Sequence, residues 1–288
     1  MKFGFSIFPT HYSISPPIIA AAIEQFGFES IWFPEHSHMP TNTVFPLPDG
    51  VVPDHDVEIP RNYLSTLDPF VSLGAAAAVT EKIKLGTAIC LVVQRDPFNC
   101  AKEVSTLDQI SNGRVIFGIG AGWNSPELEN HGTDPSTRFR LMRERVEAMK
   151  ALWTNEEAEY HGRYVDFGPT WQWPKPLQKP HPPIVLGGIG PNTFKRIASY
   201  GDGWMPIITQ TSLEDLQVKI PELNNLCADQ NRPKPEISLM GSPLNDSFIA
   251  SLEKLGVSRV VIGLESLPEK ESLSQLEHRA EQIAQLRP

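Results

Sequence analysis

The chain has 288 residues, 40% of them hydrophobic and 20% charged, with a formal net charge of −9 at pH 7. A length of this order buries about three quarters of the surface its unfolded form exposes, so a full core is expected, and the acidic balance excludes nucleic acid as the main partner, because phosphate binding needs a cationic face. Cys90, Cys100 and Cys227 are too scattered for a disulfide framework or zinc motif, and neither a signal peptide nor a run near the roughly 18 apolar residues of a membrane helix is present, which makes a reducing cytoplasm the expected setting.

Short β-rich runs alternate with helical stretches. The strand candidates, in chain order, are 3–8 (FGFSIF), 30–34 (SIWFP), 83–89 (IKLGTAI), 115–119 (VIFGI), 184–187 (IVLG), 203–207 (GWMPI), 236–241 (EISLMG) and 258–263 (SRVVIG). Most are continuous apolar runs, as parallel strands covered on both faces should be. Between them, helix 17–26 ends at Gly27, a natural residue after a helix C-terminus. Asp68-Pro69 and Asp96-Pro97 each pair a capping carboxylate with proline at the first helical position, and Gly113 closes the second of these helices. Ser136 is expected to open 137–153, where Met142, Val146, Met149 and Trp153 form one apolar stripe. A further helix starts at Asn192 or Thr193 and stops at Gly201.

Eight such alternations predict an α/β fold, a (β/α)8 TIM barrel, in one domain spanning 1–288. Long loops follow strand 2 (35 to about 65) and strand 4 (154–183), the second rich in proline. Connections of that length in a compact fold are usually lids or binding loops. Phe45, Trp171 and Trp173 within them point to an apolar or mixed ligand.

In a barrel the chemistry sits at the C-terminal strand ends. Strand 2 ends on Glu35-His36-Ser37-His38. A His-x-His pair suggests metal, but such a site needs ligands from later strand ends, which carry glycines and apolar residues instead; no metal is expected. Cys90 reads as a small buried hydrophobe. Gly86, Thr87 and Ala88 would leave room for a flat group at the barrel mouth. Gly118, Gly120 and Gly122 alternate at the end of strand 4, where backbone must approach a ligand or a neighbour closely. Gly187, Gly188 and Gly190 lie between strand 5 and a helix N-terminus, an arrangement that suits a phosphate as well as it suits a tight turn. One acid/base cluster, bare glycine surfaces and a phosphate cradle together fit a planar phosphorylated cofactor that brings its own chemistry.

These motifs resemble the bacterial luciferase-like flavin/deazaflavin oxidoreductases, and within them the branch that uses coenzyme F420. IWFPEH (31–36), IKLGTAI (83–89), GRVIFGIGAGWN (113–124), RVEAMKALW (145–153), HGRYVDF (161–167), PKPLQ (174–178), PPIVLGGIGPN (182–192) and GDGW (201–204) occur in family order. The resemblance implies that His36 accepts or donates the substrate proton, with Glu35 orienting it or bonding the cofactor ring. It implies a non-prolyl cis peptide at Ala88–Ile89 supporting that ring, and a cofactor phosphate held by backbone of Gly187, Gly188 and Gly190. Gly120, Gly122, Trp123 and Asn124 are expected to face the cofactor; Trp123 stands where sugar-phosphate dehydrogenases of the family carry a glutamate, which argues against that substrate class. His38 is read as loop.

The reading is therefore hydride transfer between F420 and a small organic substrate. The alternative is an FMN-dependent monooxygenase served by a flavin reductase; a third is a flavin-binding protein without catalysis, against which Glu35-His36 argues. The family implies a homodimer.

Overall fold

A computed structural model describes residues 1–44 and 59–286; Phe45 lies outside them. The strands are β1 (Lys2–Ser6), β2 (Ser30–Phe33), β3 (Lys84–Thr87), β4 (Cys90–Leu91), β5 (Val115–Gly120), β6 (Ala158–His161), β7 (Asp166–Thr170), β8 (Ile184–Gly187), β9 (Gly203–Met205), β10 (Glu236–Met240) and β11 (Arg259–Gly263). Eight pair in parallel in the order β1-β2-β3-β5-β8-β9-β10-β11, and β11 returns to β1 in the register Lys2↔Arg259 to Ser6↔Gly263, which closes a TIM barrel. The predicted barrel is thus the observed one. β4 is a short addition beside the end of β5.

The helices are α1 (Pro16–Gln25), α2 (Arg61–Leu64), α3 (Pro69–Ala77), α4 (Pro97–Ile110), α5 (Ser125–Asn130), α6 (Arg138–Thr154), α7 (Thr193–Tyr200), α8 (Leu213–Asp229), α9 (Asp246–Leu255) and α10 (Glu269–Ala284). Asp68 accepts from the Val71 N–H at 2.9 Å and Asp96 from the Asn99 N–H at 3.0 Å, so both Asp-Pro pairs start helices as read. Ser136 does not open α6. Its N–H and hydroxyl donate to Asp134, and Thr137 takes the cap position one residue later. The α6 stripe is buried, and Trp153 Nε1 donates to the Ala101 carbonyl at 3.0 Å. None of the helices among the described residues is long and apolar enough to cross a membrane.

Two layers of core result. The large one lies between strands and helices; the small one fills the barrel with Trp32, Ile116, Val185, Met205 and Val261. A β-carbon on Gly86 would fall 2.1 Å from the Trp32 ring. The space at Gly86 therefore holds indole and is not open to a ligand, and Thr87 spends its hydroxyl on the Gly118 carbonyl at 2.6 Å. The connection 154–183 carries the antiparallel hairpin β6–β7, and Trp171 and Trp173 are exposed. Its hairpin was not legible because its strands alternate irregularly, with Gly168 and Pro169 inside β7.

Candidate active site

Past Phe33 the chain leaves the sheet through Pro34, and successive side chains leave in different directions. Glu35 is buried and accepts the Leu91 N–H on one carboxylate oxygen at 2.7 Å and Arg95 Nε on the other at 2.6 Å. Arg95 also donates Nη1 to Glu103 at 2.9 Å and Nη2 to Asp68 at 2.6 Å. Burial works against the charge of that guanidinium, but Glu35 and the other acids outweigh it and hold its pKa above the ordinary value. Burial likewise lifts the Glu103 carboxyl. Glu35 is therefore fixed to β4 and to the entry of α4; neither carboxylate oxygen bonds His36.

His36 turns the other way. Its Nδ1 lies 2.8 Å from Oε2 of Glu127, whose other oxygen accepts the Ser37 N–H at 3.1 Å. Glu127 is fully buried in the first turn of α5. The Glu127 carboxylate accepts a hydrogen bond from Nδ1–H, which keeps that proton on Nδ1 and leaves Nε2 as the working nitrogen of the imidazole. The rings of Tyr63 and Trp123 flank His36, with centroids at 5.3 and 5.6 Å. Sequence reading missed Glu127 and Tyr63. Nothing in SPELEN distinguishes Glu127 from Glu129, and only the docking of α5 against the end of β2 selects one.

His38 joins a separate cluster at the surface. Asn130 Nδ2 donates to His38 Nε2 at 2.9 Å, His38 Nδ1 to Ser37 Oγ at 2.9 Å, and that hydroxyl to His131 Nε2 at 2.6 Å. Burial and the neighbouring His38 hold the pKa of His131 below the ordinary histidine value. Among the described residues no three His, Cys, Asp or Glu side chains come together as a metal site. Cys90 is fully buried, and burial pushes its thiol pKa well above the usual value, so it stays protonated.

The other expected residues divide by what they touch. The Ala88–Ile89 peptide bond is cis. Ile89 packs into the space over Gly120, where a β-carbon would lie 1.9 Å from its Cδ1. Gly122 packs on Leu128, and buried Asn124 donates to Thr43 Oγ1 at 3.0 Å and Met39 Sδ at 3.1 Å. These strand-end residues close on protein neighbours. In the turn at 187–190, Gly187 lies against Ile89 and the Gly188 carbonyl accepts from Trp204 Nε1 at 2.8 Å, but two of its glycines stand open. Gly188, at φ +97°, and Gly190 are exposed, and a β-carbon on either would meet nothing nearer than 3.8 Å. α7 begins just beyond, and its Asn192 cap position makes no side-chain capping bond. Open backbone before an uncapped helix start fits a phosphate.

A barrel whose mouth carries this pair and this turn has close counterparts. The pattern of the luciferase-like monooxygenases matches residues 17–244, and the chain belongs to that family of oxidoreductases. An uncharacterised protein of Mycobacterium tuberculosis is 40% identical over 290 residues, covering 99% of both chains. The oxygenase component of a flavin-dependent trigonelline monooxygenase from Acinetobacter baylyi is 29% identical over 67% of this chain and 53% of its own. Among solved structures, the monooxygenase RslO1 from Streptomyces bottropensis superposes with a TM-score of 0.74 at 21% identity, covering 99% of each chain. An F420-dependent secondary alcohol dehydrogenase does so with a TM-score of 0.73 at 19% identity, covering 98% of this chain and 99% of its own.

Proposed function

We propose that the chain transfers a hydride between coenzyme F420 and a small organic substrate, with His36 Nε2 giving or taking the accompanying proton. The observation that carries this reading is the His36–Glu127 pair at the end of β2, since an imidazole held in one orientation by a buried carboxylate is suited to proton exchange with a substrate. When bound, the deazaflavin supplies the hydride site at its C5. This chain supplies Nε2 for the proton, the flanking rings of Tyr63 and Trp123, and the Gly187–Gly190 turn for the phosphate. Glu35 acts as the anchor of the segment that carries His36, through Leu91 and Arg95.

The second reading is an FMN-dependent monooxygenase working with a flavin reductase. The FMNH2-dependent dimethylsulfone monooxygenase of Pseudomonas putida favours it, at 31% identity over 52% of this chain and 41% of its own. A homodimer belongs to either proposal. Absorbance titrations with F420 and with FMN decide the cofactor. His36→Ala should cut turnover by roughly 10²–10⁴-fold with cofactor binding retained; undiminished turnover would overturn the proton-transfer role.

A further inference from the structure

We propose that Arg138 and Arg196 form an anion clamp outside the 187–190 turn, which takes the carboxylates of the acidic tail that F420 carries beyond its phosphate and FMN lacks. This assignment rests on the reading above, in which that turn seats the cofactor phosphate. It names the residues by which the chain would prefer one cofactor to the other.

The two guanidinium groups meet on one ring. Cζ of Arg196 lies 3.7 Å from the Phe139 centroid and Cζ of Arg138 4.7 Å from it, so the cations are no farther apart than those distances together. Phe139 is exposed, which leaves the pair open to a ligand lying along the surface. Among the described residues Arg196 makes no hydrogen bond or ion pair, and Arg138 gives only Nη1 to the Pro135 carbonyl at 2.6 Å. Elsewhere guanidinium groups are met by acceptors. Arg95 has Glu35, Asp68 and Glu103, Arg259 has Glu29 and Glu236, and Arg232 has Asp202. Burial, with Arg138 adding to it and Tyr200 opposing, holds the Arg196 pKa below its ordinary value. Two like charges are thus kept together with no carboxylate between them.

Their place in the fold makes this unusual. Arg138 and Arg140 stand in the opening turn of α6, Lys195 and Arg196 in that of α7, and neither first turn holds an acid. A helix start favours acids and disfavours cations, so these two neighbouring starts carry the wrong sign of charge until an anion arrives. The preceding acid, Asp134, turns to the Ser136 N–H and hydroxyl instead. In a chain of net charge −9, a multiply acidic ligand needs such a local excess of cations to dock. The clamp also lies within reach of the turn. Thr193 Oγ1 is the nearest atom to a β-carbon on Gly188 or on Gly190, at 3.9 and 3.8 Å. Arg196 follows Thr193 by three residues, which puts both on one side of α7, and helical side chains lean toward the N-terminus. A chain leaving the phosphate along α7 therefore meets the arginines after about one helical turn, roughly 5 Å. Guanidinium groups bind carboxylates through paired N–H bonds, which a neutral tail could not use.

The test titrates the full chain with F420 and with FMN, and compares it with the double variants Arg138→Gln/Arg196→Gln and Arg138→Lys/Arg196→Lys. The glutamine pair should raise the Kd for F420 by roughly tenfold or more and leave that for FMN within about twofold. The lysine pair, which keeps the charge, should recover much of the F420 affinity. Unchanged F420 binding in the glutamine pair would overturn the clamp, and so would an equal loss for FMN, because the arginines would then be serving the phosphate. A probe free of any cofactor keeps the test independent of the variants: a triglutamate peptide added to the unaltered ¹⁵N-labelled protein should move the Arg196 Nε–H resonance, and glutamine peptide of the same length should not. A resonance that stays still with triglutamate would overturn the assignment. If triglutamate moves it but F420 fails to bind the unaltered protein, the functional reading falls and the anion clamp stands.

Discussion

His36 Nδ1 and Glu127 Oε2 meet at 2.8 Å across 91 residues of sequence, and the same carboxylate holds the next residue's N–H. The contact fixes both the tautomer and the ring plane of the imidazole. Glu127→Gln would offer Nδ1 an amide donor in place of an acceptor and favour the opposite tautomer. Turnover should fall by roughly 10²–10⁴-fold, the range of a lost general acid or base. Cofactor affinity should stay unchanged. Steady-state rates of Glu127→Gln, His36→Ala and the double variant check it, because residues acting as a unit are not additive and the double variant should be little worse than His36→Ala.

The Glu35–Arg95 pair predicts a stability effect. Both side chains are mostly buried, and removing one partner of a buried ion pair costs about 3–5 kcal/mol because the other charge is left uncompensated. Arg95 retains the more exposed Asp68 and Glu103, so the lower end of that range, about 3 kcal/mol, is expected for Glu35→Ala. Urea unfolding should show the midpoint moving with the slope constant. Glu35→Leu combined with Arg95→Met should recover part of the loss.

Two glycines predict opposite signs for one substitution. Gly86→Ala drives a methyl to 2.1 Å from the Trp32 ring inside the barrel, where overpacking costs about 1–3 kcal/mol or more. Gly74→Ala lies inside α3 with nothing within 4 Å of the new methyl, and should stabilise by about 0.5–1 kcal/mol. Thermal melts of the two variants beside the parent chain should move Tm in opposite directions.

His181 predicts a pH effect. It packs near Trp153, and burial, with Lys150 adding to it, holds its pKa below the usual histidine value of 6.5 despite its bond to the Pro182 carbonyl. As pH falls through 6.5 the unfolded chain takes up this proton before the folded one does. The resulting loss of stability is absent above that value, grows below it, and is complete below the folded-state pKa. His181→Gln should therefore lose less stability between pH 7 and 5 than the parent. Denaturant midpoints across that interval measure the difference.

The barrel was legible because its strands are runs of apolar residues with no competing period, and because Asp68-Pro69 and Asp96-Pro97 are chemically explicit helix starts. His36 was legible as an imidazole at a strand end. Its partner was not: Glu35 is adjacent in sequence, but the chain's turn at Pro34 sends it toward Leu91, and the oxygen that reaches Nδ1 arrives on α5 from a later unit. Adjacency in a sequence cannot report which way a side chain leaves an irregular backbone. The glycines illustrate the same gap. Gly86 and Gly120 look like bare surface in a sequence, and what fills them, Trp32 and Ile89, is set by neighbouring strands.

The stretch 35–37 ties one loop to two others: Glu35 to 91–95, and His36 with Ser37 to α5. Specificity in barrels is often altered by exchanging loops one at a time. Here residues 35–37, 90–95 and 124–131 form one transplantable unit. A graft that brings the loop after β5 alone would import a helix whose acid has no imidazole to hold, and one that brings residues 35–37 alone would leave His36 free to turn.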